Sequence, residues 1–425
     1  MAIDQPSYPT PANPAAIGTA GSPGPTTPAM MALPANTTPL ATDAGSVRKF
    51  YTLTASLREI YDDNVNTSNL HPESSFETQI SPSVLVDFPK EDSDFSARYT
   101  FNLTYYTKGG TNGDVNQKNS TDYTHEFVAQ YAHSFSQRFQ FNVAEQFRYF
   151  TEPSLFDATG TLYRSGAYVS NILNGTFNAQ WTPLLGSTTT YSNTVVRYDD
   201  SVIALTQDNI ENTGSHSFNF AILPKVSLSV GGIVDNIEYD GDSRGYTNYT
   251  GFVGAQWQAL PSLSLSGRGG ASYTVLNQSQ EQSQFQSQPE SSASPYVAAS
   301  VNWALGARSA LDFSYAHEVT PTDQANADAQ SSDRFTANFR YDITSYLSSH
   351  LQAIYTISNI SQSFITSSSI SSYDQNDYAF DAGFTYHYTS YLSFELGGTI
   401  SGVSSQIDSL NYTRDQVYVG VRGTY

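Results

Sequence analysis

The sequence predicts an all-β protein, namely a single closed antiparallel transmembrane β-barrel of about 18 strands that follows a disordered N-terminal segment. Three observations predict this fold. The composition is rich in aromatic residues and poor in charge. Apolar and polar residues alternate with a period of two along most of the chain. Short turns and longer polar loops also alternate regularly between the candidate strands.

The composition excludes several classes of protein. Only 14% of the 425 residues are charged, and 30 Tyr and 24 Phe outnumber the 19 Lys and Arg together. A disordered chain lacks so many aromatic residues, and no stretch of about 20 apolar residues is present to form a membrane helix. The absence of cysteine excludes thiolate metal sites and disulfides. The net charge of −20 argues against nucleic acid as a partner, because phosphate binding requires clustered Lys and Arg.

Residues 1–45 differ from the rest of the chain. Nine of the 19 prolines lie between Pro6 and Pro39, among Ala, Thr, Ser and Gly. Such a segment cannot bury a core, and we interpret it as a disordered tether ahead of a barrel at residues 46–425. It lacks the basic start and apolar run of a secretory signal. A simple linker is the favoured interpretation. Plugging the barrel and contacting peptidoglycan or a periplasmic partner remain alternatives.

The period-two alternation begins at the first candidate strand. One parity is apolar, namely Tyr51, Leu53, Ala55, Leu57 and Tyr61. The other parity holds Arg48, Thr52, Thr54, Ser56 and Arg58. The same pattern recurs at 95–105, 335–343 and 378–388. Successive side chains of a strand point to opposite faces, so each segment has one apolar and one polar face.

The connections set the number of strands. Short turns are predicted near residues 90, 135, 184, 224, 261, 306, 345 and 390. Between them lie polar loops, including Lys108–Thr121, Asn277–Ser294, Thr320–Asp333 and Asn359–Asn376. Eight short turns join the strands into nine hairpins, hence eighteen strands with both chain ends on the short-turn side.

A membrane barrel explains this pattern better than a soluble β-propeller with a repeat near 40 residues. Propeller blades place four short strands in that length, whereas these repeats hold two strands of about 9–11 residues, as a membrane crossing requires. The polar face is mostly Ser, Thr, Asn and Gln, which suits a wet lumen. The final residues Val417, Val419, Val421 and Tyr425 alternate to a terminal aromatic, similar to the C-terminal signal for outer-membrane insertion.

The segment Leu57–Val65 and the turns Tyr346–Ser348 and Tyr391–Ser393 resemble the putative β-barrel porin type 2 family of Gram-negative envelopes, over about residues 47–425. The resemblance implies a pore-like protein of the bacterial outer membrane with periplasmic N- and C-termini. The expected function is a porin-like channel for passive diffusion of small hydrophilic solutes or ions. Some relatives are linked with exopolysaccharide export, so the alternatives are an export barrel or a non-conducting protein that anchors envelope partners.

Strand parity gives a predicted charge map of the barrel. The predicted lumen-lining side chains are Arg48, Arg58, Arg98, Arg138, Arg148, Arg268, Arg334, Arg340, Arg422, Asp312, Asp342, Asp381 and Glu395. The predicted acidic outer loops contain Asp62, Asp63, Asp199, Asp200, Asp240 and Asp242. Since charged rings select ions in pores, we hypothesise an acidic mouth above a mildly basic wall. The alternative is that these charges only solvate the surface.

No catalytic or metal motif supports an enzyme. The chain has no His-Glu-x-x-His motif, and although residues Gly241–Gly245 match the pattern Gly-x-Ser-x-Gly, we predict no catalytic residue and no cofactor. Paired loop carboxylates could bind Ca²⁺ or lipopolysaccharide-bridging divalent ions, although ordinary loop acids are the favoured interpretation. Expected partners are outer-membrane lipids and lipopolysaccharide, and small polar solutes. Glu145 has the same outward parity as Phe147, which would place its carboxylate against lipid. Contact with another subunit in a homo-oligomer is one explanation.

Overall fold

The computed structural model describes residues 50–107, 121–151, 166–240, 245–277, 291–322, 327–362 and 372–425. Eighteen β-strands fill most of these ranges. They are β1 (Tyr51–Asp62), β2 (Ser75–Pro89), β3 (Ser93–Tyr106), β4 (Thr121–Ser136), β5 (Phe139–Phe150), β6 (Tyr168–Gln180), β7 (Leu185–Tyr198), β8 (Asn209–Leu223), β9 (Val226–Tyr239), β10 (Gly245–Leu260), β11 (Leu263–Leu276), β12 (Ser291–Ala304), β13 (Ser309–Thr320), β14 (Ala327–Asp342), β15 (Leu347–Gln362), β16 (Ser372–His387), β17 (Leu392–Ser405) and β18 (Tyr412–Thr424).

The strands form one closed sheet. Each strand pairs antiparallel with its neighbours in the sequence, and β1 pairs with β18 to complete the ring. At the closing seam, the N–H of Tyr425 donates to the carbonyl of Leu53 at 2.8 Å. The predicted eighteen-stranded antiparallel barrel is therefore confirmed. Strands about 4.8 Å apart and tilted by about 40° close into a backbone ring roughly 36 Å across.

All eight predicted short turns are found, for example between Leu260 and Leu263 and between His387 and Leu392. The strands are 12 to 16 residues long, however, and so exceed the predicted length. Two predicted loops are shorter than expected, because β14 already begins at Ala327 and β16 at Ser372. Ladder pairing continues through these polar residues, whose composition alone had indicated a loop.

The two faces of the sheet differ in chemistry as the alternation predicts. On β1, Tyr51, Leu53, Leu57 and Tyr61 are exposed, while Asp62 is fully buried. On β16 the exposed side chains include Phe380, Phe384 and Tyr386. We call the face with the exposed aromatic and aliphatic residues the outer face, and the opposite one the inner face. Residues 1–49, including the predicted N-terminal segment, lie outside the described residues.

The ladder between β12 and β13 ends early. It runs only from Ala304 opposite Ala310 to Val297 opposite His317, although β12 continues to Ser291. The N–H of Leu305 donates toward β13 and that of Ala304 toward β11, so odd-numbered residues of β12 direct their N–H to β13. Pro295 is the next such residue and has no N–H to donate. The proline therefore explains where this ladder stops.

Beyond this point the end of the β13–β14 hairpin packs on the inner face of β9 and β10, which are separated from it in the sheet by β11 and β12. Val319 and Ala329 pack against the buried Ile237, Tyr239 and Tyr246 of β9 and β10. The Tyr239 hydroxyl also donates to the carbonyl of Thr322 at 2.9 Å. The hairpin end therefore covers an apolar part of the inner wall, an exception to the polar inner face that parity predicts.

One short α-helix, α1 (Ser201–Gln207), lies in the β7–β8 connection and was not predicted. Asp200 precedes it and accepts hydrogen bonds from the N–H groups of Val202 and Ile203, as an N-cap residue does. Within the described ranges, no helix has the length and apolar character needed to cross a membrane. A 3₁₀ turn, Asp408–Leu410, lies between β17 and β18.

The seam between β1 and β18 can be tested with a proline. Backbone N–H groups of a strand point alternately to its two neighbours, and the N–H of Tyr425 points to β1. Val419 is an even number of residues away, so its N–H also points to β1, where Val419 lies opposite Glu59. Val419→Pro should remove that donor and destabilise the barrel by about 2–3 kcal/mol, lowering the fraction that migrates as a compact, heat-modifiable band in gels. Val419→Ala keeps the N–H and should have a smaller effect. Equal behaviour of both variants would contradict closure through this pair.

Candidate functional site

The inner face carries charged side chains that are paired with one another. Glu395 of β17 lies between two arginines, Arg422 of the adjacent β18 and Arg58 of β1, the strand beyond it. It accepts from Arg58 Nε at 2.9 Å and lies 2.7 Å from Arg422 Nη2. The guanidinium of Arg58 also lies 5.0 Å from the centre of the Tyr418 ring. These residues form a compensated ion-pair group on β1, β17 and β18, which we call the Glu395 cluster.

A second group surrounds Asp381 on β16. His350 Nε2 lies 2.8 Å from Oδ1 of Asp381, and the Thr399 hydroxyl donates to Oδ2 at 2.9 Å. Because the hydroxyl bonds to the carboxylate rather than to the imidazole, the three do not form a nucleophile–base–acid relay. The arrangement orients polar groups on the inner wall.

A third group lies on β3 to β5. Glu126 accepts from Gln146 Nε2 at 2.9 Å and lies 3.6 Å from Arg148 Nε. Arg98 of β3 lies within electrostatic range of the same carboxylate. One glutamate therefore offsets part of the charge of two arginines, as in the Glu395 cluster.

The long-loop end of the interior holds the most buried ion pair among the described residues. Arg414 of β18 donates from Nε to Asp62 Oδ2 at 2.7 Å, and its Nη2 lies 3.7 Å from Glu77 Oε1. Gln416 also donates to Asp62, at 2.8 Å. Asp62 has 0% of its surface exposed. The prediction that Asp62 belongs to a solvated outer loop is therefore wrong, because the residue ends β1 and compensates a buried arginine.

Carboxylates also gather on the opposite side of the interior. Glu211 of β8 and Asp235 of β9 lie on the inner face of adjacent strands, and Thr213 donates to Asp235 at 2.8 Å. Glu318 of β13 is close enough to interact with Glu211. Among the described residues, however, no group of three or more side chains is arranged to hold a metal ion.

Segments from three long-loop connections turn inward at this end. In the β7–β8 connection, Ile203 and Ala204 of α1 pack against Tyr168, Val196 and Tyr198. Beside the 3₁₀ turn, Ile407 and Leu410 pack against Ile360 and Tyr373. The overlapping β13–β14 hairpin is the third. Apolar anchors hold each segment against the inner wall, so the mouth is narrower than the backbone ring.

Most predicted lumen residues lie on the inner face. They are Arg58, Arg98, Arg148, Arg268, Arg334, Arg422, Asp312, Asp381 and Glu395. Arg268 is buried over the Phe252 ring, 4.6 Å from its centre. Arg340 and Asp342 share this parity but are exposed near the β14–β15 turn, and Arg138 lies in the β4–β5 turn rather than in the wall. Arg48 lies outside the described residues. A role of any of them in permeation stays a prediction.

The predicted acidic loop residues have varied surroundings. Asp63 accepts from the N–H of Asp415 at 2.7 Å, and Asp199 accepts from the Tyr149 hydroxyl at 2.8 Å. Asp200 caps α1, and Asp240 lies 3.0 Å from Arg197. Asp242 lies outside the described residues. At the C-terminus, the predicted insertion residues Val417, Val419 and Val421 lie on the outer face of β18, and Tyr425 follows the end of this strand.

Sequence reasoning missed several inner-face residues. Arg414 shares the parity of Tyr418 and Arg422, so the alternation of β18 could have found it. Glu211 and Asp235 lie in the stretch whose alternation is least regular. Glu211 lies opposite Ile237, and Asp235 lies opposite Thr213. These pairings cannot be predicted from the sequence before the strand register is known.

The geometry defines the chain as a closed β-barrel of the outer-membrane class. The family model described as "Putative beta-barrel porin 2" matches residues 232–425. This match confirms the family resemblance over that part of the chain. The motif Leu57–Val65, which also suggested it, lies before the matched range.

Several solved structures are similar at low sequence identity. OccK2 (OpdF) of Pseudomonas aeruginosa, crystallised with glucuronate, has a TM-score of 0.45 at 10% identity, over 88% of this chain and 97% of the other. The outer membrane protein OpdK of the same organism has a TM-score of 0.46 at 10% identity, over 88% and 99%. OccAB3 of Acinetobacter baumannii has 0.44 at 11%, over 88% and 98%. No curated protein matches the chain.

The Glu395 cluster gives a stability prediction. Glu395→Gln should lower the free energy of unfolding by about 2 kcal/mol, less than the 3–5 kcal/mol for a fully buried pair, because both arginines are partly exposed. Urea titration of the folded barrel, followed by tryptophan fluorescence, measures this loss. Asp312→Asn removes an inner-face carboxylate for which no ion pair is recorded among the described residues, and should change stability by less than about 0.5 kcal/mol. Equal losses would contradict the bridging role.

Proposed function

We propose that the protein is an outer-membrane channel for passive diffusion of small hydrophilic solutes or ions. The observation that carries the proposal is the contrast between the two faces of the closed sheet. The outer face is aromatic and aliphatic, as hydrocarbon requires, while the inner face holds ion pairs and hydroxyls, including the Glu395 cluster. A ring of eighteen strands leaves room for a water-filled lumen. The family match over residues 232–425 supports the same function.

The narrowed mouth supports small solutes rather than polymers. Three apolar-anchored segments project inward at the long-loop end, so an extended polysaccharide would have to displace them. The alternative of an export barrel is therefore not favoured, and neither is a non-conducting anchor.

The proposed location is the bacterial outer membrane with both termini in the periplasm. Tyr425 pairs with Leu53 at the short-turn rim, and short turns face the periplasm in outer-membrane barrels. Residues 1–49 precede β1, which begins at this rim, and we propose for them a linker role or a periplasmic contact. Divalent ions at the outer loops and lipopolysaccharide contacts remain part of the proposal.

Planar-bilayer recording of the purified protein tests the channel directly. Stable conductance without a partner is expected, and no conductance from folded protein would contradict the proposal.

The reversal potential across a salt gradient tests the charge map separately. The Arg268 guanidinium makes a cation–π contact with the Phe252 ring. Because Arg268→Gln removes this positive charge from the wall, it should shift the ion selectivity toward cations. An unchanged reversal potential would refute only the predicted basic wall.

The helix α1 gives a second test. Ile203→Asn should weaken its packing on Tyr168 and Tyr198, free the segment and raise the single-channel conductance. Leu205→Asn is the matched control, because Leu205 is exposed on the same helix and should leave conductance unchanged. An equal response to both substitutions, or none to either, would contradict narrowing by α1.

A further inference from the structure

One part of the outer face is unusually polar. Most strands present aliphatic and aromatic residues outward, for example Val253 on β10, Phe313 on β13 and Phe380 on β16. Strands β5 to β8 instead present a group that we call the polar outer patch, namely Glu145, Asn171, Thr189, Asn193, Asn212 and His216. Asn193 is directly opposite Asn212, and Leu173 lies between Glu145 and Asn193 in the same row.

Glu145 lies at a depth where hydrocarbon would surround a lone barrel. On β5, Glu145 falls between Phe139 and Tyr149, and each of these belongs to an aromatic group on the outer face. Phe139 packs with Phe177 and Trp181 at the short-turn end, and Tyr149 stacks on Tyr123 at the other end. Such aromatic groups mark the two membrane interfaces. A carboxylate between them is unfavourable in lipid unless it finds a polar partner.

Part of the patch is satisfied within the chain. Asn193 Nδ2 donates to Asn212 Oδ1 at 2.9 Å, and the Tyr191 hydroxyl donates to the same oxygen at 2.8 Å. The Thr189 hydroxyl lies 2.9 Å from His216 Nδ1. This contact leaves the other ring nitrogen, Nε2, available to a second partner. Among the described residues, no hydrogen bond or ion pair is recorded for the side chains of Glu145 and Asn171.

Two outward glycines, Gly175 and Gly214, lie on either side of Tyr191 in the patch. A Cβ built on Gly214 would meet nothing within 4 Å, and one on Gly175 would meet only the carbonyl of Tyr191, at 3.9 Å. Side chains at these positions would fit beside the described part of this chain without any clash. The fold itself therefore does not demand glycine here, and the same is true of the outward Gly251, Gly267 and Gly269 of β10 and β11, so these two positions serve as sites for cross-links.

We propose that a second copy of this chain packs on the polar outer patch. The patch complements itself, with a carboxylate at Glu145 on one side, an imidazole at His216 on the other and amides between them. In a symmetric contact, the acid of each copy can face the imidazole of the next. A protein surface is also the environment in which these groups can be paired inside the membrane. This inference depends on the barrel lying in a membrane, and not on conductance.

Cysteine cross-linking in intact membranes tests the contact, since the chain contains no cysteine of its own. The pair Gly175→Cys and Gly214→Cys leaves Glu145 and His216 in place. These positions are separated by β7, hence by roughly 10 Å, which exceeds the reach of an intrachain disulfide. The control pair is Ala337→Cys and Phe380→Cys, two outward positions separated by β15. Oxidation should cross-link most of the patch variant into species of two or more chains, and little of the control.

Three results would overturn the proposal. These are equal cross-linking of the two variants, no cross-linking of either, and cross-linking of the patch variant to a different protein. A heat-modifiable band shows that each variant is folded. Native mass spectrometry of the unaltered protein should show a multiple of the chain mass, and Glu145→Leu with Asn193→Leu should shift it to one chain. Conductance is recorded in parallel, so loss of the channel and loss of the contact are distinguishable.

Discussion

Backbone pairing in hydrocarbon is the constraint on which the rest of the structure depends. A sheet inside a membrane cannot leave an edge open, because unpaired N–H and C=O groups have no water to bind. The chain meets this requirement by pairing β1 with β18, and the regular antiparallel order of the other strands follows from it. The ladder between β12 and β13 stops early beside Pro295, toward the long-loop end of β12. There the β13–β14 hairpin bends inward and packs on the inner wall.

The closed wall separates two environments with opposite demands, and this separation connects the fold with the proposed function. Outside the polar outer patch, most outward side chains are aromatic or aliphatic, while inward charges are arranged so that carboxylates offset arginines. Glu395 and Glu126 each serve two arginines, and Asp62 compensates the buried Arg414. Such pairing keeps the inner wall polar without giving it a strong electrostatic potential of one sign. The apolar anchors of the inward segments then set the size of the mouth, so polarity and width are controlled by different residues.

The sequence predicts the barrel well because its signals are local. Alternation and short turns, such as the one between Leu260 and Leu263, depend on neighbouring residues only. The site is less predictable because its contacts are not local. Asp62 resembles a loop acid beside Asp63, and its partner Arg414 is 352 residues away. The helix α1 was missed since seven residues give too little periodicity, and its anchors belong to the other strands β6 and β7.

The central claim is that outward side chains of a closed barrel face lipid while inward ones face water. Spin labels placed singly along β16, from Tyr378 to Tyr386, test it most directly by collision with oxygen, which concentrates in lipid, and with a water-soluble nickel complex. The account predicts a period of two, with oxygen contact highest at Phe380 and Phe384 and nickel contact highest at Asp381 and Thr385. Uniform contact with the nickel complex along the strand would contradict a membrane-spanning barrel.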